Sequence, residues 1–258
     1  MAATTAVLQS EWTKVRTVRS TVWTLAAATV LTIVISGLFC LLFRTQWDNL
    51  EEGARAQFDA TNQSLSGLFF GQLALITFGV LIISSEYSTG MIRASLSAVP
   101  QRATFYFSKV AVAAGITFVL GVIVSFLSFF VGQAVLGGDR DASISDPGVL
   151  RAVFGAGLYM TLMVLFAVGV ATMLRSPLVS LGVLIPFFFL VSGILTAVPG
   201  AKDVARYFPD QAGSTIMRAT IPPNDPAPYG PWGGLGIMAL WVVVALIGGY
   251  ALLKRRDA

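Results

Sequence analysis

Six stretches of this chain run without a single Asp, Glu, Lys or Arg, at about 20–43, 60–85, 110–138, 152–174, 176–201 and 226–253. Each meets the requirement of about 20 apolar residues for a helix that crosses a bilayer. The alternating pattern of a barrel strand is missing, so the runs predict membrane helices. Spans near 22–43, 65–83, 110–136, 152–174, 178–198 and 232–253 follow, within one domain covering 1–258. The expected fold class is an all-α membrane protein with six transmembrane helices.

The segments between the runs carry their own patterns. Across 5–20, Leu8, Trp12, Val15 and Val18 recur at helical spacing with Lys14, Arg16 and Arg19 beside them. This predicts an amphipathic helix in the headgroup layer, Trp12 buried and the cations toward anionic lipid. A plain basic flank that fixes topology fits the same residues. In 44–64, Trp47, Leu50, Ala54 and Phe58 predict a short surface helix. In the segment 84–109, turn-prone Ser88, Thr89 and Gly90 precede Met91, Ile92, Ser95, Leu96 and Val99 at helical steps, ended by Pro100. A short helix over 91–98 fits, with Arg93 and Arg102 available to Glu86, lipid phosphate or a partner's acids. The segment 199–231 carries seven prolines, Pro199, Pro209, Pro222, Pro223, Pro226, Pro228 and Pro231. That density precludes one long helix, while 203–219 has room for short helices dipping back toward the membrane.

Composition and charge sharpen the topology. Only 12% of residues are charged, against about 25% in soluble domains, and mean hydropathy is +0.78. With both termini cytoplasmic, the inside holds Lys14, Arg16, Arg19, Arg93, Arg102, Lys109, Arg175, Lys254, Arg255 and Arg256, ten of the 17 basic residues. The clusters at 14–19 and 254–256 abut the first and last spans, and the orientation rests mainly on them. The first apolar run is too long for a signal-peptide core and reads as an uncleaved anchor. Cys40, the single cysteine, reads as a buried thiol.

Catalytic patterns are missing. The four lysines follow Thr13, Ser108, Ala201 and Leu253, so no Gly-Lys of a phosphate-binding loop exists. The chain has no histidine, which removes Ser-His and Cys-His catalysis and the usual zinc and haem sites. No carboxylate falls inside a span, unlike most ion-coupled carriers. The deepest polar side chains are Gln72, Thr77, Thr117, Ser125, Ser128, Gln133, Thr161, Thr172 and Ser192. They read as interhelical glue, with Gln72 and Thr77 as candidates for a mildly polar pathway. Ala111/Gly115 and Ala167/Ala171 have the four-residue spacing of close helix contacts. Pro186 interrupts the fifth span and frees the carbonyl of Gly182, which predicts a bend. Phe187, Phe188 and Phe189 after it read either as lipid-facing aromatics or as a hydrophobic gate.

Two motifs carry a resemblance. One is Ile83-Ser84-Ser85-Glu86-Tyr87-Ser88-Thr89-Gly90-Met91-Ile92-Arg93 with Leu96-Ser97-Ala98-Val99-Pro100-Gln101-Arg102 between two apolar helices. The other is Glu11-Trp12-Thr13-Lys14-Val15-Arg16 at the start. Together they resemble the permease subunits of type 2 ABC transporters, small actinobacterial ones in particular, along essentially the whole chain.

The resemblance implies a bacterial cell-membrane exporter subunit that dimerises, with a second copy expected, and docks two separate ATP-binding subunits. ATP and Mg would be bound there, with no cofactor in this chain. It assigns coupling to the ATPase to Glu86, Tyr87, Thr89, Gly90, Met91, Arg93, Pro100 and Arg102. It makes the helix with Trp12, Lys14, Arg16 and Arg19 the connecting helix. It turns the second and fifth spans, with Gln72, Thr77, Pro186, Phe187, Phe188 and Phe189, toward a central pathway. The expected partners are the ATPase, the second copy and membrane lipid, with no nucleic acid. A stand-alone carrier or channel and a non-transporting anchor or sensor for an ATPase are the other readings.

Overall fold

A computed structural model of the protein describes residues 4–255 except 57 and 221–226, with backbone alone at 20, 54, 56 and 139. Pro222, Pro223, Pro226, Arg256 and the side chain of Ala54 therefore lie outside the described residues. In chain order the helices are α1 (Thr4–Thr17), α2 (Arg19–Gln46), α3 (Glu52–Ala56), α4 (Ala60–Ser64), α5 (Leu68–Ser88) and α6 (Met91–Ala98). They continue with α7 (Arg102–Leu136), α8 (Val149–Leu174), α9 (Pro177–Pro186), α10 (Ser192–Ala197), α11 (Lys202–Ala205), α12 (Pro209–Ser214) and α13 (Pro231–Arg255). Among the described residues there is no strand.

Six helical stretches are long and apolar enough to cross a membrane: α2, α5, α7, α8, the run Pro177–Ala197 and α13. The expected all-α fold of six spans is the fold observed. α1 and α6 match the two short helices predicted at 5–20 and 91–98. The helix of the third span starts at Arg102, ahead of its charge-free run. Its 35 residues extend about 52 Å at ~1.5 Å each, well beyond a hydrocarbon core of ~30 Å. A charge-free window reads membrane depth, whereas a helix continues through Arg102 and Lys109 into the polar layer.

α8 is the centre of the bundle. Of its most apolar window 72% is buried inside the protein, against 22% for α2. Small residues make this possible: Ala152, Ala156, Ala167 and Ala171 of α8 are fully buried among α5, α7 and α13. Gly169 brings α13 so close that a Cβ there would sit 2.6 Å from the Ala245 carbonyl carbon. The pair Ala111/Gly115 faces outward, and nothing lies within 4 Å of a Cβ at Gly115. Peripheral helices turn their branched side chains toward lipid, as at Val30, Val34, Leu240, Val244 and Ile247.

The fifth span interrupts its α-helical ladder at the proline where a bend was expected. Pro186 closes α9, and Phe187–Val191 form a wide π turn before α10. Proline cannot donate to the Gly182 carbonyl, and a π turn accommodates such a break in the hydrogen-bond ladder. Phe188 is buried against Phe166, ring centroids 5.8 Å apart, while Phe189 packs on Phe69 at 4.6 Å and Phe187 on Phe208 at 5.4 Å. Pro186 itself is exposed.

All chain ends described lie at one face, where α1, α6, the start of α7 and the end of α13 meet; this is the terminal face. The opposite, distal face holds the aromatic nest of Phe43, Trp47 and Phe58, with Arg55 and Arg140 over the Trp47 ring at 5.8 and 5.2 Å. It also holds α11, α12 and the turn Thr215–Met217. This segment dips into the bundle: Ala212 and Ile216 are fully buried, packed on α13 and α8.

Gly169→Ala should lower the thermal unfolding midpoint in detergent although Ala gains about 1 kcal/mol over Gly in a helix, because the Cβ forces α8 and α13 apart. Gly115→Ala should leave the midpoint unchanged or raised. Equal midpoints for the two variants would contradict the packing at Gly169.

Candidate functional site: the charge cluster at the terminal face

α1 packs on α7 and α2 with Val7, Glu11 and Val15 facing inward at four-residue steps. Trp12 is turned outward, half exposed, over an apolar groove of about 350 Å³ whose lining includes Val22, Leu25, Ile116 and Leu120. The inward face is thus one position off the apolar stripe seen in the sequence, and it places an acid among buried residues.

Glu11 meets three other charges there. Its Oε1 accepts from Lys14 Nζ at 2.7 Å and its Oε2 from Lys109 Nζ at 2.6 Å. Glu86 Oε1 takes the same two ammonium groups, Lys14 at 2.9 Å and Lys109 at 2.5 Å. Lys109 also donates to the Ile82 carbonyl at 3.4 Å. Two cations and two anions close a ring that ties α1 to the last turn of α5 and the second turn of α7. Glu11, Glu86 and Lys109 are 3%, 5% and 1% exposed. Burial alone would pull the Lys14 ammonium down; hydrogen bonds and charge from Glu11 and Glu86 outweigh it and hold Lys14 above the ordinary lysine value. A cavity of about 280 Å³ adjoins the ring between α1, α5 and α6, with Val18, Leu81, Ser85 and Met91 in its wall.

Isolated charges transferred from water to an interior cost several kcal/mol each, and only close pairing offsets this. The ring therefore makes little claim on net stability but a strong one on geometry. Removing one member leaves a buried net charge, which costs about 3–5 kcal/mol.

The sequence-selected residues of the 84–109 segment divide into two sets. Glu86 belongs to the ring. Tyr87 is half-buried with the Arg175 guanidinium 5.2 Å from its ring centroid. Arg102 Nη1 donates to the carbonyls of Leu253 at 2.6 Å and Lys254 at 3.1 Å, and Arg175 reaches the Leu252 carbonyl at 3.4 Å. These two cations sit where the dipole of α13 ends, a favourable place for positive charge. Thr89, Gly90, Met91, Arg93 and Pro100 form the second set, and all are exposed. Gly90 has φ +71°, a left-handed conformation that glycine adopts without strain, and it turns the chain from α5 into α6. Ile92, buried, anchors α6. Val99, with non-helical backbone angles of φ −126° and ψ 82° ahead of Pro100, ends it.

On α1, Trp12 and Arg16 are exposed while Lys14 points into the ring, and Arg19, which falls outside α1 as the first residue of α2, is exposed as well. Of the pathway candidates, Gln72 is buried and accepts a hydrogen bond from the Tyr159 hydroxyl at 2.9 Å. The Thr77 hydroxyl turns back to the Leu73 carbonyl at 2.8 Å. Glu11 and Lys109 are the members that sequence reading passed over. Glu11 was visible as an acid three residues before Lys14, and Lys109 as a lone cation ahead of a span; their meeting is tertiary, with 98 positions between them.

Lys109→Met should loosen α1 and speed tryptic cleavage at Arg16 and Arg19 by about tenfold, since local opening sets the rate. Arg93→Ala should leave that rate unchanged. Unaltered cleavage in Lys109→Met would show that the ring does not hold α1.

Comparison with curated proteins gives no match. A family model described as ABC-2 family transporter protein matches residues 7–193, from α1 through the ring and α6 to the start of α10. The match covers well over half of a chain with six candidate spans. The chain belongs to the ABC-2 family of transporter proteins and is a multi-pass membrane permease.

Proposed function

We propose that this permease is the membrane subunit of an ATP-driven exporter in a bacterial cell membrane, with its terminal face in the cytoplasm. The basic residues Arg16 ahead of α2 and Arg19 at its start, with Lys254 and Arg255 at the end of α13, support that orientation. Two copies of the chain form the translocation unit, and two separate ATP-binding subunits, which carry the ATP and Mg, dock against them.

The observation that carries the proposal is the position of α6. Its exposed residues Met91 and Arg93, with Thr89 and Gly90 before them, offer an apolar and a cationic contact at the terminal face. Three residues upstream of Thr89 lies Glu86, which is joined through Lys14 and Lys109 to α1 and α7. A push on α6 is therefore delivered to three helices together. ATP binding drives transport only if its free energy differs between the inward and outward states, and a helix cluster that moves as one provides such a difference. Glu86, Tyr87 and Arg102 serve this transmission from inside, while Thr89, Gly90, Met91, Arg93 and Pro100 meet the ATPase.

Arg93→Glu should lower recovery of an ABC-type ATPase with the tagged chain from native membranes by about tenfold, the loss of roughly 1.4 kcal/mol of binding. The unfolding midpoint of the variant should match that of the wild type. Undiminished recovery would remove α6 from the docking surface. Recovery of the wild-type chain without any ATPase, from membranes where ATPase is detected, would favour a stand-alone carrier.

A further inference from the structure

At the distal face, α12 lays a carboxylate inside the bundle. Asp210 is 6% exposed. Its Oδ2 is committed: Ser192 Oγ donates to it at 2.6 Å and Gln211 Nε2 at 2.9 Å, with Gln211 also bonded to Ser192 Oγ at 3.0 Å. Its Oδ1 is buried without a hydrogen-bond partner among the described residues, and Asp210 lines a cavity of about 250 Å³.

The rest of that cavity is consistent in chemistry. Asn62, Ser66 and Gln72 come from α4, α5 and the turn between them, Tyr159 from α8, and Phe69 supplies an aromatic wall. The Tyr159–Gln72 hydrogen bond fixes both side chains. Ser66 Oγ is a second buried polar atom without a partner among the described residues. Among the described residues no Lys or Arg lines this cavity. Lys202, Arg206 and Arg218 line a separate one on the other side of Gln211.

We propose that this cavity binds an organic ammonium group, with Asp210 Oδ1 as its counter-ion. A buried carboxylate oxygen left without a donor costs more than a neutral unmatched group, and a ligand cation with N–H donors supplies both the charge and the hydrogen bond. Phe69 and Tyr159 in the lining are aromatic groups of the kind that attract a cation. Burial pushes the Asp210 carboxyl above the ordinary aspartate value, against the lowering effect of the Ser192 and Gln211 side chains and of the backbone N–H groups of Asp210 and Gln211. The volume falls below the ~300–1,000 Å³ of sites for drug-sized ligands, so the bound group is small, about one ring or less. Asp210 and Gln211 lie beyond the stretch matched by the family model, whereas Asn62, Ser66, Phe69, Gln72 and Tyr159 lie within it. Binding stands independently of any ATPase; taking the ligand as cargo rests on the proposed permease function.

The test uses the full chain in nanodiscs of neutral phosphatidylcholine, with empty discs subtracted, and calorimetric titration of benzylammonium and its neutral counterpart benzyl alcohol. The wild type should bind benzylammonium about tenfold or more tighter than the alcohol, and Asp210→Asn should abolish that preference while leaving the alcohol's affinity in place. Equal affinities in the wild type, no saturable ammonium binding, or a preference retained in Asp210→Asn would each overturn the proposal. The wild-type comparison decides the matter even if Asp210→Asn fails to fold. No nucleotide or ATPase is present, so a negative result leaves the permease function untouched.

Discussion

Three buried charges, with a fourth half-buried beside them at one end of a membrane bundle, cannot be separated cheaply, and the arrangement of the terminal face follows from that. Glu11, Lys14, Glu86 and Lys109 sum to zero, with every contact between 2.5 and 2.9 Å. Dragging one of them out leaves an uncompensated ion in a poorly polarisable interior. α1 is short, and little in its own apolar face would fix its angle on the bundle. The ring fixes it, because Glu11 must reach Lys109 while Lys14 reaches Glu86.

The two faces of the bundle then differ in electrostatic character. At the terminal face Glu11 and Glu86 Oε1 are paired with Lys14 and Lys109, Glu86 Oε2 has no hydrogen-bond partner among the described residues, and Arg102 and Arg175 close the end of α13. Among the described residues at the distal face, Asp210 Oδ1 has no hydrogen-bond partner, and no cation is paired with its carboxylate there. Between them runs the tightly packed centre, where α8 meets α5, α7 and α13 through alanine and glycine. Such a centre transmits displacement rather than absorbing it, since close-packed interiors are stiff. A permease that links events on its two sides requires that property.

How far the sequence revealed this depended on whether a feature was local. The spans were legible because membrane depth excludes charge residue by residue, and the break at Pro186 because proline acts on its own carbonyl partner. Gly90 and Pro100 likewise bracket α6 by local backbone rules. The inward face of α1 was not legible. Periodicity counted Glu11 as polar and so rotated the helix toward Trp12, because nothing near Glu11 reveals Lys109 arriving from 98 residues away. Glu86 and Arg102 looked like surface residues of a polar loop for the same reason, although their partners lie on α1, α7 and α13. Asp210 stood in a proline-broken segment that read as external, and its burial depends on α12 packing against α13.

A double-mutant cycle on the ring tests the central claim most directly. Unfolding free energies of Lys109→Met, Glu11→Met and the combined variant would be compared with the wild type in one detergent. Each single change strands a buried charge and should cost about 3–5 kcal/mol. The combined variant keeps the neutral Lys14–Glu86 pair and should lose far less than the sum, a coupling of about 2 kcal/mol or more. Additive losses would mean that the four charges do not act as a unit, and that α1 is held by something else.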